Sequence, residues 1–208
     1  MDIYLVRHGE TEWNKEKIFR GRKDVPLNER GLRQAELTGR YFGGVAIDRM
    51  CSSPLSRAVQ TAEGIAAATM SPIMRDDAFT DIAFGTWEGL TLDEVGRRFP
   101  AELEVWRSHP HKFRMRGVES LAHVRKRVAA GLKAAMEGAG SVVIVTHPVI
   151  CKVLVLHLLG MPSRCFWRIK CDPASITRFE KVGEEPVLHF MNETCHLKAN
   201  GADGYSDF

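Results

Sequence analysis

Two short apolar runs restrict this chain to few folds. Ile3-Tyr-Leu-Val6 is unbroken and β-prone and stops at Arg7-His8-Gly9; Val142-Val-Ile-Val145 does the same at Thr146-His147-Pro148. A run without polar alternation is the pattern of a strand covered on both faces, as strands of parallel sheets are. Helix-period segments lie between the two runs. Strand and helix alternation predicts an α/β fold, three layers α/β/α around a mostly parallel central sheet. Ligands of such sheets bind beyond the carboxyl ends of the strands. Both runs therefore carry a histidine to the edge where a site belongs.

Between them, Asn28 can cap a helix that buries Leu32, Ala35, Gly39 and Phe42 and ends at Gly43-Gly44. Residues 47–51 are too short for a helix. Ser53 suits an N-cap and Pro54 a first helical position, with Leu55, Ala58, Ala62 and Ile65 as the buried stripe. Arg57 then falls in the first turn, a second cation aimed at the strand edge that carries Arg7. Residues 72–90 read as irregular and compact, 91–99 as a helix cut by Pro100, and 109–116 as a local basic stretch. Leu121, Val124, Val128, Leu132 and Ala135 trace a long amphipathic helix with Arg125, Lys126 and Arg127 outside. Residues 149–159 are apolar nearly all round and should form a central helix. Residues 175–179 and 187–191 are β-prone.

Composition narrows the function classes. With 208 residues there is room for one good-sized core, so one domain is expected over 1–197, with a subregion at about 77–118 over the site and a polar tail at 198–208. A net charge of +3 is too small to imply a nucleic-acid partner. No apolar run approaches about 18 residues, so neither a membrane span nor a signal peptide is expected. Five widely spread cysteines without a CxxC pair suggest reduced thiols and the cytoplasm.

Two guanidiniums, Arg7 and Arg57, with two imidazoles, His8 and His147, form a pocket for a small dianion, because arginine matches phosphate oxygens bidentately. A metal site built from His109, His111 and the cysteines is disfavoured, since no second ligand pair has metal spacing. Leu5-Val-Arg-His-Gly-Glu-Thr-Glu-Trp-Asn14, Ser52-Ser-Pro-Leu-Ser-Arg-Ala-Val-Gln-Thr61, Phe84-Gly-Thr-Trp-Glu-Gly89, Gly117-Val-Glu-Ser120 and Val145-Thr-His147 together resemble the motifs, in order, of the histidine phosphatase superfamily, also called phosphoglycerate-mutase-like. The length resembles the compact branch, with its α-ribazole phosphatases and broad-specificity phosphatases.

The resemblance implies a phosphomonoester hydrolase in which His8 becomes a phosphohistidine. Arg7, Arg57 and His147 hold the phosphoryl oxygens, and Asn14 is a further phosphate contact. Arg20 and Gly21 are implied to bind the rest of a small-molecule substrate, with no metal or organic cofactor. The family's general acid is usually a glutamate; its position here is Asp81, with Glu88 and then Asp77 as alternatives. Pro148 stands where relatives commonly carry glycine, which removes one backbone donor. Arg20, Lys112, Arg114 and Arg116 are expected near the crevice, favouring phosphates with a second anionic group. Mutase-type transfer and a catalytically weak phosphate-binding module are the other readings, and homo-oligomerisation stays open.

Overall fold

The computed structural model describes residues 1–183 and 185–198. Six strands, β1 (Asp2–Arg7), β2 (Arg49–Ser52), β3 (Ile73–Arg75), β4 (Ser141–Thr146), β5 (Ile176–Val182) and β6 (Glu185–Glu193), form one sheet in the order β3-β2-β4-β1-β5-β6. β3, β2, β4 and β1 are mutually parallel, and β5 pairs antiparallel with both β1 and β6. The sheet is thus mostly parallel, as expected. Among the described residues, eight α-helices accompany it: α1 (Glu12–Lys15), α2 (Glu29–Phe42), α3 (Ser56–Thr69), α4 (Leu92–Arg98), α5 (Pro100–Ser108), α6 (Leu121–Met136), α7 (Pro148–Leu158) and α8 (Cys195–Lys198).

Alternation along the strands divides the core between two faces. Tyr4, Val6, Met50, Val143 and Val145 pack against Phe42 of α2 and Ala58, Ala62 and Ile65 of α3. Ile3, Leu5, Cys51, Val142 and Ile144 point the other way, toward α6 and α7 and an aromatic cluster around Trp87 and Trp106. Full burial of Val142, Val143, Ile144 and Val145 stabilises by about 1.5–3 kcal/mol for each side chain. These three layers are the expected α/β/α arrangement.

Several local expectations need correcting. α3 starts at Ser56 with Leu55 as N-cap, so Ser53 and Pro54 lie before the helix. The Ser53 hydroxyl is engaged in the site instead. Leu32 is 48% exposed, because α2 turns Gly31, Ala35, Thr38 and Phe42 inward. A Cβ at Gly31 would sit 2.1 Å from the carbonyl oxygen of Glu10, so only glycine lets α2 lie this close to the loop after β1. Arg125 and Arg127 do not simply face water. Arg125 donates to the carbonyls of Met161 and Leu156, while Arg127 pairs with Glu119 and donates to Ala78 and Asp81. The irregular region contains the edge strand β3, and the residues after Pro100 form α5. Pro100 starts that helix as its first residue, where a missing N–H costs nothing. The polar tail lies outside the described residues except for Lys198.

Candidate active site

β1 and β4 are neighbours in register, with Arg7 opposite Thr146, so the next residues, His8 and His147, leave the sheet side by side. Their ring centroids are 5.2 Å apart and both are fully buried. The His8 N–H donates to the Thr146 carbonyl at 2.8 Å, extending the ladder by one residue and fixing the two histidines relative to each other.

The His8 ring has a defined tautomer. Its Nδ1 lies 2.6 Å from the Gly9 carbonyl oxygen, which can only accept, so Nδ1 carries the proton. Nε2 therefore holds a lone pair, and it is buried without a hydrogen-bond partner in the protein. Burial, reinforced by Arg57, Arg7 and Arg20, pushes the His8 pKa well below the ordinary 6.5 and keeps the ring neutral. A neutral imidazole with a free Nε2 is a nucleophile.

His147 is held the opposite way. Arg57 Nε donates to its Nδ1 at 3.2 Å, and its Nε2 lies 2.7 Å from Ser53 Oγ. With Nδ1 accepting, Nε2 is the ring's donor. Burial and then Arg57 lower its pKa well below 6.5 as well. Arg57, wholly buried, also donates through Nη1 to the Lys23 carbonyl at 2.9 Å and through Nη2 to the Gly21 carbonyl at 2.8 Å. This one guanidinium therefore joins α3, β4 and the 20–23 loop. On the other side, Arg7 Nη1 donates to the Cys171 carbonyl at 2.6 Å.

Asp81 completes the group. Its Oδ2 is 3.3 Å from Arg57 Nη2 and 3.8 Å from His147 Nδ1, and its Oδ1 accepts the Ile82 N–H at 2.9 Å. Burial raises its pKa above the ordinary carboxylate value, against the lowering effect of Arg57 and Arg20. The loop that carries it is tied to β4, since Thr146 Oγ1 donates to the Phe79 carbonyl at 2.6 Å. A buried carboxyl with raised pKa beside Arg57 and His147, the ring next to neutral His8, suits acid-assisted phosphoryl transfer.

Comparison with known proteins agrees with this geometry. The model of the histidine phosphatase superfamily (branch 1) matches residues 3–194. The chain belongs to that superfamily. This histidine phosphatase is 35% identical over 197 residues to phosphoserine phosphatase 1 of Hydrogenobacter thermophilus, covering 94% of the chain and 93% of the relative. It superposes on Bacillus stearothermophilus YhfR with a TM-score of 0.89 and 29% identity, covering 95% of this chain and 99% of that one. A mutant phosphoserine phosphatase from Entamoeba histolytica, in complex with phosphoserine, superposes with a TM-score of 0.81 and 30% identity, covering 94% and 98%.

The remaining residues named from the sequence divide by position. Gly21 adopts φ +51°, and its carbonyl is the Arg57 acceptor. Arg20 and Gly21 line a pocket that opens onto Asp81 and Pro148. Asn14 is buried, and its Oδ1 accepts from both the backbone and the hydroxyl of Thr11, which shapes the turn after His8. Glu88 is engaged elsewhere, its Oε1 accepting the N–H groups of Arg22 and Phe84. Asp77 begins a short 3₁₀ turn, Asp77–Phe79. Lys112, Arg114 and Arg116 do not line the pocket, and Arg114 donates to the carbonyls of His111 and Phe113. Their charge was legible, but which way their loop faces depends on tertiary packing. Pro148 is the first residue of α7, where it fits without strain.

Two participants escaped the sequence reading. Ser53 holds His147 Nε2, and its position at the end of β2, between a strand and a proline, is the available signal. Lys152 lies on the pocket wall, hidden in sequence by the apolar helix around it. Among the described residues, no group of three or more His, Cys, Asp or Glu is arranged to hold a metal ion. No described helix is long and apolar enough to cross a membrane.

Proposed function

We propose that this histidine phosphatase hydrolyses small phosphomonoesters through a phosphohistidine on His8. The observation that carries the reading is His8 Nε2, deprotonated, buried and unpartnered, with the opposite nitrogen pinned to the Gly9 carbonyl. Nε2 attacks phosphorus in line as the ester P–O bond breaks, and the leaving oxygen takes the proton of Asp81. The carboxylate then takes a proton from water, whose oxygen attacks phosphorus. The P–N bond breaks, His8 is restored and inorganic phosphate departs with Asp81 protonated again. Arg7 and Arg57 bind the phosphoryl oxygens together with His147, whose Nε2–H turns from Ser53 Oγ to the arriving phosphate, and Asn14 supports them. A dianion arriving beside Asp81 raises its proton affinity further, which favours the acid form at the moment it is needed.

Arg20 and Gly21 border the space for the alcohol. The phosphoserine phosphatases among the relatives support a small phosphorylated metabolite as substrate. Five unpaired cysteines fit a reducing compartment, the cytoplasm. The test is release of inorganic phosphate from p-nitrophenyl phosphate and phosphoserine, with and without chelator, by the wild type and His8→Ala. Loss in His8→Ala, indifference to chelator and a trapped phosphohistidine are expected. Full activity in His8→Ala, or phosphate passed from these substrates to an added acceptor such as phosphoglycerate rather than to water, would sink the reading.

A further inference from the structure

Two of the five cysteines meet. Cys151, buried near the start of α7, and Cys171, half-buried in the turn that leads into β5, hydrogen-bond to each other through their side chains. Both are also joined through the backbone to the phosphate site. The Cys151 N–H donates to the His147 carbonyl at 2.8 Å. The Cys171 carbonyl accepts from Arg7 Nη1 at 2.6 Å, the Ser175 carbonyl accepts the Arg7 N–H at 3.1 Å, and the Ala174 N–H donates to the His8 carbonyl at 3.1 Å. The 171–175 turn is therefore the mount on which Arg7 and His8 are held. Ala174 within it has φ +54°, a left-handed conformation that a residue with a Cβ adopts only where its surroundings impose it.

The two thiols are unequal. Cys151 donates to Cys171, and that bond, with burial, holds the Cys151 proton on and pushes its pKa well above the ordinary value. The same bond brings the Cys171 thiol down to about 7, helped by Arg7, the Ser175 hydroxyl at 3.6 Å and Lys152 against the raising effect of burial. Cys171 is thus the member that ionises and the one that solvent reaches, and Cys151 is the protonated partner behind it. A reactive thiolate beside a second thiol is the arrangement in which oxidation ends in a reducible disulfide rather than in the irreversible acids.

We infer that Cys151 and Cys171 form a site of reversible oxidation by hydrogen peroxide, and that their disulfide weakens the Arg7 phosphate clamp. Cys171 Sγ attacks one peroxide oxygen, the O–O bond breaks, and the departing oxygen leaves as water with the proton that the thiol gave up. The Cys151 sulfur then attacks the sulfenic acid sulfur, the S–O bond breaks, and the hydroxyl leaves as a second water with the Cys151 proton. Two thiols are oxidised to one disulfide and one peroxide is reduced to two waters; a dithiol reverses the step. A disulfide is about 2.05 Å long, shorter than a thiol–thiol hydrogen bond, so closure draws the 171–175 turn toward α7. At 2.6 Å the bond from Arg7 to the Cys171 carbonyl has no slack, so the guanidinium follows the turn or loses its anchor. The oxidation is independent of the reaction at His8, and its consequence for turnover rests on the phosphatase reading above.

The test treats the full chain with hydrogen peroxide and follows it by peptide mapping, by calorimetric binding of inorganic phosphate and by hydrolysis of p-nitrophenyl phosphate, before and after dithiothreitol. A linked Cys151–Cys171 peptide is expected, with phosphate affinity and kcat/KM lowered tenfold or more, the latter chiefly through KM, and both restored by dithiothreitol. Cys151→Ala, compared with its own reduced form, should lose the reversible change, and Cys195→Ala, which removes the exposed thiol, should keep it. Phosphate binding reads the clamp without turnover, so reduced protein that binds phosphate but hydrolyses nothing overturns the phosphatase reading alone. Three results overturn this inference: no linked peptide under peroxide that oxidises Cys195, a linked peptide with phosphate affinity changed less than twofold, or the reversible loss persisting in Cys151→Ala. Reduced protein that binds no phosphate overturns the clamp and the inference together.

Discussion

Asp81→Asn separates the chemistry of the acid from the architecture around it. The substitution is nearly isosteric, and the retained Oδ1 keeps the Ile82 N–H that orients the side chain at 2.9 Å. What disappears is the proton and the charge facing Arg57 Nη2 at 3.3 Å. Arg57 still has the carbonyls of Gly21 and Lys23 and the ring of His147, so its position is over-determined. General acid catalysis contributes about 10²–10⁴-fold, or about 2.7–5.4 kcal/mol of barrier, where the leaving group is a poor one. An alkyl phosphate such as phosphoserine should therefore lose that factor in single-turnover cleavage, whereas p-nitrophenyl phosphate, whose leaving group departs without a proton, should lose much less. Water activation also depends on Asp81, so the variant should release one enzyme equivalent of p-nitrophenol in a burst and then stall as phosphoenzyme. Rapid-quench kinetics on the two substrates, with thermal unfolding as a control for folding, reads both effects. Equal single-turnover losses on both substrates, or no burst together with wild-type turnover, would refute the assignment of Asp81 and return attention to Glu88.

The same assignments fix the direction of pH effects. His8 must be neutral to attack and its pKa is pushed well below 6.5, so kcat/KM should not show a histidine-like loss as pH falls through 6.5. Asp81 must be protonated for the alkyl ester, and its pKa is raised, so the rate ratio of phosphoserine to p-nitrophenyl phosphate should fall as pH rises above the usual carboxylate range. Taking the ratio cancels the titration of the phosphate and of His8. A pH-independent ratio contradicts the acid role. Arg57→Ala leaves Asp81 buried beside no cation at 3.3 Å and strips donors from Gly21, Lys23 and His147. Losing one partner of such a buried pair costs about 3–5 kcal/mol, readable by urea unfolding, and a change below about 1 kcal/mol would show that the guanidinium only binds substrate.

The parts of the site that could be read from sequence are those set by strand periodicity. His8 and His147 each follow an unbroken apolar run, and parallel pairing of those runs in register is enough to bring the two rings together. Arg57 was legible for a related reason, since the start of a helix after β2 faces the same edge even though that helix begins two residues later than Ser53 as N-cap suggests. Ser53 and Lys152 were not legible, because their partners come from elements distant in the chain: His147 for the hydroxyl, Phe166 and Trp167 for the ammonium. In the sequence, Lys152 is one charge interrupting a hydrophobic helix, whereas Lys112, Arg114 and Arg116 form a conspicuous cluster.

The contrast has a physical basis. A cluster of like charges on a loop repels itself and turns toward water, so charge density in sequence selects for solvation rather than for a ligand. A solitary cation on an apolar helix has the opposite constraint, because it can stay enclosed only where aromatic faces, or an anion, offset its desolvation. That is why the buried Lys152, rather than the basic 109–116 stretch, reaches the pocket wall. The same reasoning applies to Arg7 and Arg57, the largest charged side chains fully enclosed in the core. Their burial beside two neutral histidines concentrates positive charge in the core, offset at Arg57 by Asp81, and favours a bound anion there. The fold holds that charge in place by fastening each guanidinium to backbone carbonyls, Cys171 for Arg7 and Gly21 and Lys23 for Arg57, which fix the geometry.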